Sequence, residues 1–207
     1  MSAKALGKRE PLERVGNFCA SGGRVYVIEY TDLPDEMAHA TRPDGTLMFG
    51  AGSIAIHVFS RQFIERLTAG GDSRLPFHRA VKKAPHLIPT GELVHPDRPN
   101  AVKLERFIFD ALPLAEKVVL LETIRSEEFS PVKNATGPDS PTSCLHDQVA
   151  RAAGWLESAG VAIPRDAGRE AAAAIEISPL FALDAEAVAA RVDPSMKIRP
   201  GESVYLE

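Results

Sequence analysis

The stretch that decides the fold class reads LMFGAGSIAIH and runs from Leu47 to His57. Asp44-Gly45 predicts a turn before it, Thr46 to Phe49 predicts a short strand, and the small residues from Gly50 to Ser53 predict a second turn. Backbone without bulky side chains can approach a ligand closely. This part of the chain is therefore expected to present a short strand and a ligand-lining turn.

The same small residues match the dinucleotide fingerprint G-x-G-x-x-A, from Gly50 to Ala55. The fingerprint requires a strand before it and a second strand that carries a ribose-binding acid about 20 residues further on. The strand before Gly50 is short, and no clear second strand with such an acid follows. We therefore expect a tight turn at some ligand rather than a dinucleotide fold.

Two further segments predict strands of the same sheet. Arg24 to Tyr30 is rich in β-branched and aromatic residues and follows Gly22-Gly23, which is typical of a strand that begins after a turn. Val118 to Thr123 is continuously apolar and predicts a buried strand.

Helices are predicted between these strands. Ser60 can cap a helix that Gly70-Gly71 ends, and Ser140 opens the best helix in the chain, which Gly160 ends. Strands that alternate with helices indicate an α/β protein, here with a partial mixed sheet and flanking helices.

The middle of the chain gives weaker signals. A helix is predicted near Pro76 that carries His78 to Lys83, and another from Lys103 to Ala115, disrupted near Pro113. Four prolines between these two segments favour a surface excursion, with a possible hairpin around Thr90-Gly91-Glu92.

Composition excludes several classes of function. The net charge is -4, with 24 basic and 28 acidic residues and no long run of either sign, so neither nucleic acid nor an anionic membrane is an expected partner. The longest apolar runs are too short to cross a bilayer, and a cytoplasmic protein is expected. Cys19 and Cys144 show no zinc-ligand spacing and are expected to act as small buried hydrophobes.

Three polar residues are candidates for a site, each with an ordinary alternative. Lys133 follows a predicted strand directly, where open α/β sheets bind ligands, but it also fits a solvated surface lysine. Glu29 ends its strand and either faces water or accepts hydrogen bonds from hydroxyl or amide groups. A histidine in the position of His57 is more often structural than catalytic. From the residues alone, the chain is an α/β protein with a candidate anion site at Lys133.

Seven segments, taken in order, resemble the second half of the UDP-sugar pyrophosphorylases, and are closest to the eukaryotic-type UDP-N-acetylglucosamine branch. They span nearly the whole chain, and their collinearity is more specific than any single motif. The segments read ERVG (13–16), VIEYTD (27–32), LMFGAGSIAIH (47–57), HRAVKK (78–83), KLERFIFD (103–110), EEFSPVKN (127–134) and EISPL (176–180).

The resemblance implies a Rossmann-like nucleotide-diphospho-sugar transferase fold. It assigns residues 1–164 to the sugar-phosphate-binding half of a uridylyltransferase domain and residues 165–207 to a carboxy-terminal extension. The implied reaction joins UTP and an N-acetylhexosamine 1-phosphate and releases pyrophosphate. Such a transfer needs positioning and charge neutralisation more than covalent help.

The resemblance also implies roles for particular residues. Lys133 corresponds to the family's lysine that meets the α-phosphate oxygens and is the expected catalytic residue, within reach of Glu29 and Ser53 across one cleft. The other residues expected to contact or support the substrate are Gly16, Glu29, Gly52, Ser53, His57, Phe107 and Phe109, of which the two phenylalanines shape the wall near the sugar's 2-substituent.

The chain departs from the family pattern in two ways. Ser53 and Gly50 stand where the family usually has asparagine, which leaves the sugar's identity open. The family's glycine-rich loop with an arginine, which holds UTP, has no counterpart here. Mg²⁺ is implied as a cofactor, and its ligands are expected in the missing half.

Three interpretations remain open. The chain is a uridylyltransferase half that works with an amino-terminal complement, a non-catalytic sugar-phosphate or nucleotide-sugar binding module, or a structural remnant that self-associates through an open sheet edge.

Overall fold

The chain forms two compact units, Met1–Thr123 and Ile124–Glu207. The computed structural model describes residues 1–70 and 75–207. In order, the elements of the first unit are β1 (Ser2–Gly7), β2 (Gly16–Ser21), β3 (Arg24–Ile28), α1 (Asp35–Ala38), β4 (Ala51–Val58), α2 (Arg61–Thr68), β5 (His78–Lys82), β6 (His86–Leu87), β7 (Leu93–Val94), β8 (Ala101–Glu105), a 3₁₀ helix (Ile108–Leu114) and β9 (Val119–Glu122).

A five-stranded sheet forms the body of this unit, in the order β3-β2-β4-β1-β9. β1 runs antiparallel to β4 and parallel to β9, and β2 is antiparallel to both β3 and β4. The expected α/β fold with a mixed sheet is therefore confirmed. One face of the sheet carries a core of five buried residues: Ala3, Ala5, Phe18, Phe109 and Leu112.

The predicted strands at Arg24 and Val118 are confirmed as β3 and β9. The expectation that the second of them is buried is wrong, because β9 is the edge strand of the sheet and all four of its residues are exposed. Its apolar side chains satisfied the pattern of a central strand, but the pattern does not reveal how many neighbours a strand has.

The predicted turn from Gly50 to Ser53 is wrong, because Ala51 to Ser53 lie inside β4. The expected strand before it is reduced to an isolated bridge between Thr41 and Leu47, which closes the confirmed Asp44-Gly45 turn. The glycine at position 52 serves packing between strands: a Cβ there would lie 2.9 Å from Cγ2 of Val15 and 3.2 Å from Cδ1 of Leu6. Since fingerprint residues Ala51 to Ala55 lie within β4 and do not lead into a helix, no dinucleotide loop forms.

The helix predicted after Ser60 is confirmed as α2, and the Ser60 hydroxyl accepts a hydrogen bond from the backbone N–H of Phe63. Gly70 follows it with φ +102°. Gly71, expected to end the helix with Gly70, lies outside the described residues. The helix predicted for His78 to Lys83 is wrong, since these residues form β5 and pair with β8.

The segment from Lys103 to Ala115 is only partly helical. Its first residues belong to β8, and the 3₁₀ helix follows with Pro113 inside it. The hairpin predicted around Gly91 is confirmed: β6 and β7 are antiparallel and Gly91 has φ +87°.

The second unit contains α3 (Arg125–Glu128), α4 (Pro141–Ser158), β10 (Ala174–Ile177), α5 (Ala185–Ala189) and β11 (Ser203–Leu206). The predicted long helix is confirmed as α4, with a capping box between Ser140 and Ser143. Ala152, Ala153 and Leu156 of α4 share a core with residues as distant as Ile198. The expected boundary at residue 164 therefore falls inside this unit, because α4 packs against chain that follows it.

In the described ranges, no helix is both long and apolar enough to cross a membrane.

Candidate functional site

Two of the predicted site residues lie side by side on the sheet. In the strand register, Ser53 of β4 lies opposite Ala5 of β1 on one side and Gly16 of β2 on the other. Residues directly opposite on adjacent strands project from the same face of a sheet. Ser53 is 8% exposed, so its hydroxyl lies at the edge of the buried core.

Glu29 reaches the same place from the end of β3. A Cβ built on Gly16 would lie 3.6 Å from Oε1 of Glu29 and 3.5 Å from Cβ of Ser53. The nearest atom to that position is Cγ1 of Val27, at 2.6 Å, so the glycine lets β2 approach β3 closely and thereby brings the Glu29 carboxylate and Ser53 together. We call the residues Gly16, Glu29 and Ser53 the glycine cradle. A carboxylate there can accept hydrogen bonds from hydroxyl or amide donors of a ligand.

Phe107 and Phe109 form an aromatic pair connected to this face. Their ring centroids are 4.8 Å apart and their planes differ by 17°. Phe109 is 7% exposed and packs with Ala5 and Phe18, so it is first of all a core residue. Phe107 is half-buried, so part of the residue stays exposed to solvent.

His57 lies in β4 opposite Ala3 and contacts Phe59 edge-on, with ring centroids 6.0 Å apart. Both ring nitrogens are buried, without a hydrogen-bond partner among the residues that the structure describes. Burial lowers the pKa of His57, which favours the neutral ring. A neutral imidazole brings no positive charge to a phosphate, and a ligand role for His57 stays a prediction.

Gly52 projects from the other face of the sheet. A Cβ there would lie 3.4 Å from Cγ of Lys8, on the side that Leu6 and Val15 occupy. The structure therefore separates Gly52 from the glycine cradle and gives it a role in packing; substrate contact by its backbone stays a prediction.

Sequence reasoning missed a partly buried polar pair beside Gly52. Nζ of Lys8 donates to Oδ1 of Asn17 over 2.6 Å and to the carbonyl oxygen of Pro11 over 2.7 Å. Burial lowers the pKa of Lys8, and the Glu13 carboxylate partly opposes this. Asn17 is 0% exposed and ties β2 to the backbone of Ile28, one residue before Glu29. The sequence signal that could have revealed this pair is the asparagine directly after the ERVG segment.

A second missed pair supports the aromatic wall. Nε2 of His78 lies 2.7 Å from Oδ2 of Asp110, and the His78 ring centroid is 4.8 Å from that of Phe107. His78 on β5 is therefore connected to the 3₁₀ helix and to the ring of Phe107. Both residues belong to segments that carry the resemblance, but their spacing in the sequence gives no hint of the contact.

Lys133 belongs to the second unit. It follows α3 on an exposed loop, and the backbone N–H groups of Lys133 and Asn134 both donate to the carbonyl oxygen of Asp139, over 2.7 and 2.9 Å. The loop is thus closed on itself just before the Ser140 cap of α4. Its proximity to Glu29 and Ser53 stays a prediction.

The candidate site offers charge and hydrogen bonding rather than a metal centre. Within residues 1–70 and 75–207, no group of three or more histidine, cysteine, aspartate and glutamate side chains is arranged to hold a metal ion. The described groups can bind a polar ligand through Glu29 and Ser53 and pack an apolar substituent against Phe107.

Comparison with known sequences identifies several relatives, although no family model matches the chain. It is 44% identical over 147 residues to a probable UDP-N-acetylglucosamine pyrophosphorylase of Caenorhabditis elegans, covering 70% of this chain and 30% of the relative. It is 38% identical over 189 residues to the corresponding probable enzyme of Dictyostelium discoideum, covering 89% of this chain and 38% of the relative. The chain thus spans about a third of the length of these curated relatives.

Comparison with solved structures finds proteins of the same name. A crystal structure assigned to UDP-N-acetylglucosamine pyrophosphorylase from Entamoeba histolytica matches 99% of this chain and 48% of its own, with a TM-score of 0.71 and 27% identity. The enzyme of that name from Trypanosoma brucei shares the fold, with a TM-score of 0.63 at 23% identity over 100% of this chain and 43% of its own.

Proposed function

Because the chain belongs to the UDP-sugar pyrophosphorylase family, we propose that it supplies the sugar-phosphate-binding part of a uridylyltransferase. The substrates are UTP and an N-acetylhexosamine 1-phosphate, and the products are a UDP-N-acetylhexosamine and pyrophosphate. The relatives named above are pyrophosphorylases for UDP-N-acetylglucosamine, which supports this choice of substrate class.

The glycine cradle is the observation that carries the proposal. Gly16 lets the strands approach so that the Glu29 carboxylate and Ser53 lie close together, and a ligand hydroxyl can donate a hydrogen bond to Glu29 there. Ser53 is almost fully buried, so a polar group of the ligand that lies beside it loses its hydrogen bonds to water and forms one to a fixed protein group instead. Serine carries a single hydroxyl and no amide, so Glu29 provides the principal polar contact to the sugar.

Phe107 supplies the apolar part of the site. Its ring stacks on Phe109, which is fixed in the core, and also contacts the ring of His78; the part of Phe107 that stays exposed can pack against the methyl group of a 2-acetamido substituent. This contact favours an N-acetylhexosamine over a hexose, whose 2-hydroxyl gains nothing from an aromatic surface.

Lys133 acts on the transferred phosphate. A phosphate oxygen of the sugar 1-phosphate bonds to the α-phosphorus of UTP, and the bond from that phosphorus to the bridging oxygen of pyrophosphate breaks. The Lys133 ammonium would stabilise the negative charge on the non-bridging α-phosphate oxygens during this exchange. It donates no electrons and forms no covalent bond.

Two components of the complete reaction come from outside the described site. A complementary segment with the glycine-rich loop would hold UTP. Mg²⁺ is also proposed on the family pattern, but the described residues do not offer a cluster that fits it, so we assign it no step here. The cytoplasm is the proposed location.

The test is binding of N-acetylglucosamine 1-phosphate to the full chain, measured by isothermal titration calorimetry. Glu29→Gln should weaken binding about tenfold or more, because the amide replaces a charged acceptor with a neutral one. Glu36→Gln, on the exposed face of α1, is the matched control and should change nothing. Glucose 1-phosphate should bind more weakly than the N-acetyl ligand.

Turnover gives a second measurement. The purified chain alone should release no pyrophosphate from UTP and N-acetylglucosamine 1-phosphate, because the UTP loop is missing from its sequence. Saturable turnover by the chain alone would contradict the division of labour, and failure of the sugar phosphate to bind would contradict the proposed site.

A further inference from the structure

Helix α4 contacts the segment that leads to Lys133 through one row of side chains. The row consists of Cys144, Asp147, Arg151 and Trp155, which are three and four residues apart and therefore lie on one side of the helix. The segment that they contact runs from Glu127 to Ser130.

Ser130 is bonded to the first turns of α4 at two atoms. Its hydroxyl donates to Oδ2 of Asp147 over 2.6 Å, and its carbonyl oxygen accepts from Sγ of Cys144 over 3.3 Å. The first bond is short and has a charged acceptor, which makes it the stronger of the two.

Glu127 is bonded to the next turns of the helix. Nη1 of Arg151 donates to its carbonyl oxygen over 3.0 Å, and Nε1 of Trp155 donates to Oε2 of its side chain over 2.8 Å. The Arg151 guanidinium also lies over the Trp155 ring, 5.0 Å from its centroid. The segment is thus held at both ends by one rigid element.

Lys133 follows three residues after Ser130, and its loop returns to α4 at once. The backbone N–H groups of Lys133 and Asn134 bond to Asp139, and Asn134 also donates from its side chain to the carbonyl oxygen of Pro138 over 2.7 Å. Ser140 then caps the helix. The loop from Ser130 to Ser140 therefore begins and ends at the first turns of the same helix.

We propose that Asp147 is a positioning residue for Lys133, because its bond to Ser130 fixes the start of the loop that carries the lysine. This inference rests on the proposed function of Lys133 as the group that meets the phosphate. Without the Asp147 carboxylate, Ser130 keeps the weaker Cys144 contact among the described residues, and the start of the lysine's loop is no longer held in place.

Asp147 also lies close to His146, and the effect of losing that contact has to be distinguished from the effect of losing the bond to Ser130. Its other oxygen, Oδ1, lies 3.6 Å from Nδ1 of His146, whose Nε2 is 2.8 Å from Oε2 of Glu170. Glu170→Gln weakens this surface cluster without touching Ser130, which makes it the matched control.

The experiment compares Asp147→Ala, Asp147→Asn and Glu170→Gln in the full chain. Amide hydrogen exchange is followed by mass spectrometry for peptides that cover residues 130–134, with peptides from the centre of α4 as the control for folding. Binding of UDP-N-acetylglucosamine and of unphosphorylated N-acetylglucosamine is measured on the same samples.

We expect Asp147→Ala to speed exchange at residues 130–134 about tenfold, the effect of losing one hydrogen bond to a charged group. It should weaken UDP-N-acetylglucosamine binding and leave the neutral sugar unaffected. Asp147→Asn should restore both properties, because the amide oxygen still accepts from Ser130. Glu170→Gln should behave as the unmodified chain.

Unchanged exchange in Asp147→Ala, or faster exchange with unchanged nucleotide-sugar binding, overturns the proposal. Equal losses for both ligands would show a general structural defect and overturn it as well. If the unmodified chain binds neither UDP-N-acetylglucosamine nor N-acetylglucosamine 1-phosphate, the proposed function fails, and the positioning role of Asp147 falls with it even where the exchange result shows that Asp147 anchors the loop.

Discussion

Gly16 lies so close to Val27 that a Cβ added to the glycine would stand 2.6 Å from Cγ1 of the valine. Val27 packs against the core of the first unit and, as a β-branched residue, has few alternative rotamers. The backbone of β2 can approach β3 in this register only without a side chain at position 16. The same close approach brings Glu29 and Ser53 together beside the glycine.

Gly16→Ala is therefore expected to destabilise the chain by about 1–3 kcal/mol, the usual cost of forcing a methyl group into packed surroundings. Thermal unfolding followed by circular dichroism measures this. Gly7→Ala in β1 is the control, since no atom lies within 4 Å of a Cβ built there. Similar losses for both variants would show that glycine in a strand, and not the contact with Val27, matters.

Lys133→Ala should lower the rate constant of uridylyl transfer more than it weakens substrate binding, once the chain is combined with a segment that holds UTP. A preorganised contact to charge that grows in the transition state contributes about a hundred- to a thousandfold in rate. Steady-state kinetics separates the two effects.

Lys83→Ala is the control for Lys133. Lys83 also lies in a segment that carries the resemblance and is exposed, directly after β5. Its replacement should change the rate little. Equal small effects of the two substitutions would make Lys133 a surface residue.

His146 should make the second unit slightly more stable in mild acid. Its hydrogen bond to Glu170, with a smaller contribution from Asp147, raises the pKa of His146 in the folded chain. The folded state thus binds the proton more tightly, and this stabilisation is complete below the unfolded pKa of about 6.5 and is lost as pH rises through the folded pKa. Since the side chain is 51% exposed, the effect should stay below about 1 kcal/mol.

Urea unfolding at pH 5.5 and pH 8, for the unmodified chain and for His146→Ala, measures this term. The difference in unfolding free energy between the two proteins should be larger at the lower pH. An equal difference at both values would exclude a contribution from the ion pair.

Gly154→Ala should stabilise the chain. Gly154 lies inside α4 and is exposed, and no atom lies within 4 Å of a Cβ built on it. Alanine loses less backbone entropy in a helix, and the expected gain is about 0.5–1 kcal/mol. Denaturant unfolding measures it, and a loss of stability would indicate that the exposed side of α4 is packed against something in solution.

The sequence by itself determined the elements whose signals are local. Ser140 and Gly160 bound α4, Ser60 begins α2, and Gly91 makes its hairpin, because caps and turns depend on hydrogen bonds and backbone angles within a few residues. The seven segments likewise indicate the family through their order along the chain, which needs no knowledge of how the strands pair.

Only the tertiary structure decided which of these residues meet. Gly52 was expected in a turn and lies in a strand, and His78 was expected in a helix and lies in β5. Both follow from pairing with strands distant in sequence, and the stability of a strand depends on those neighbours more than on its own residues. For the same reason the glycine cradle, with Gly16 from β2, Ser53 from β4 and Glu29 after β3, exists only once the register of three strands is set.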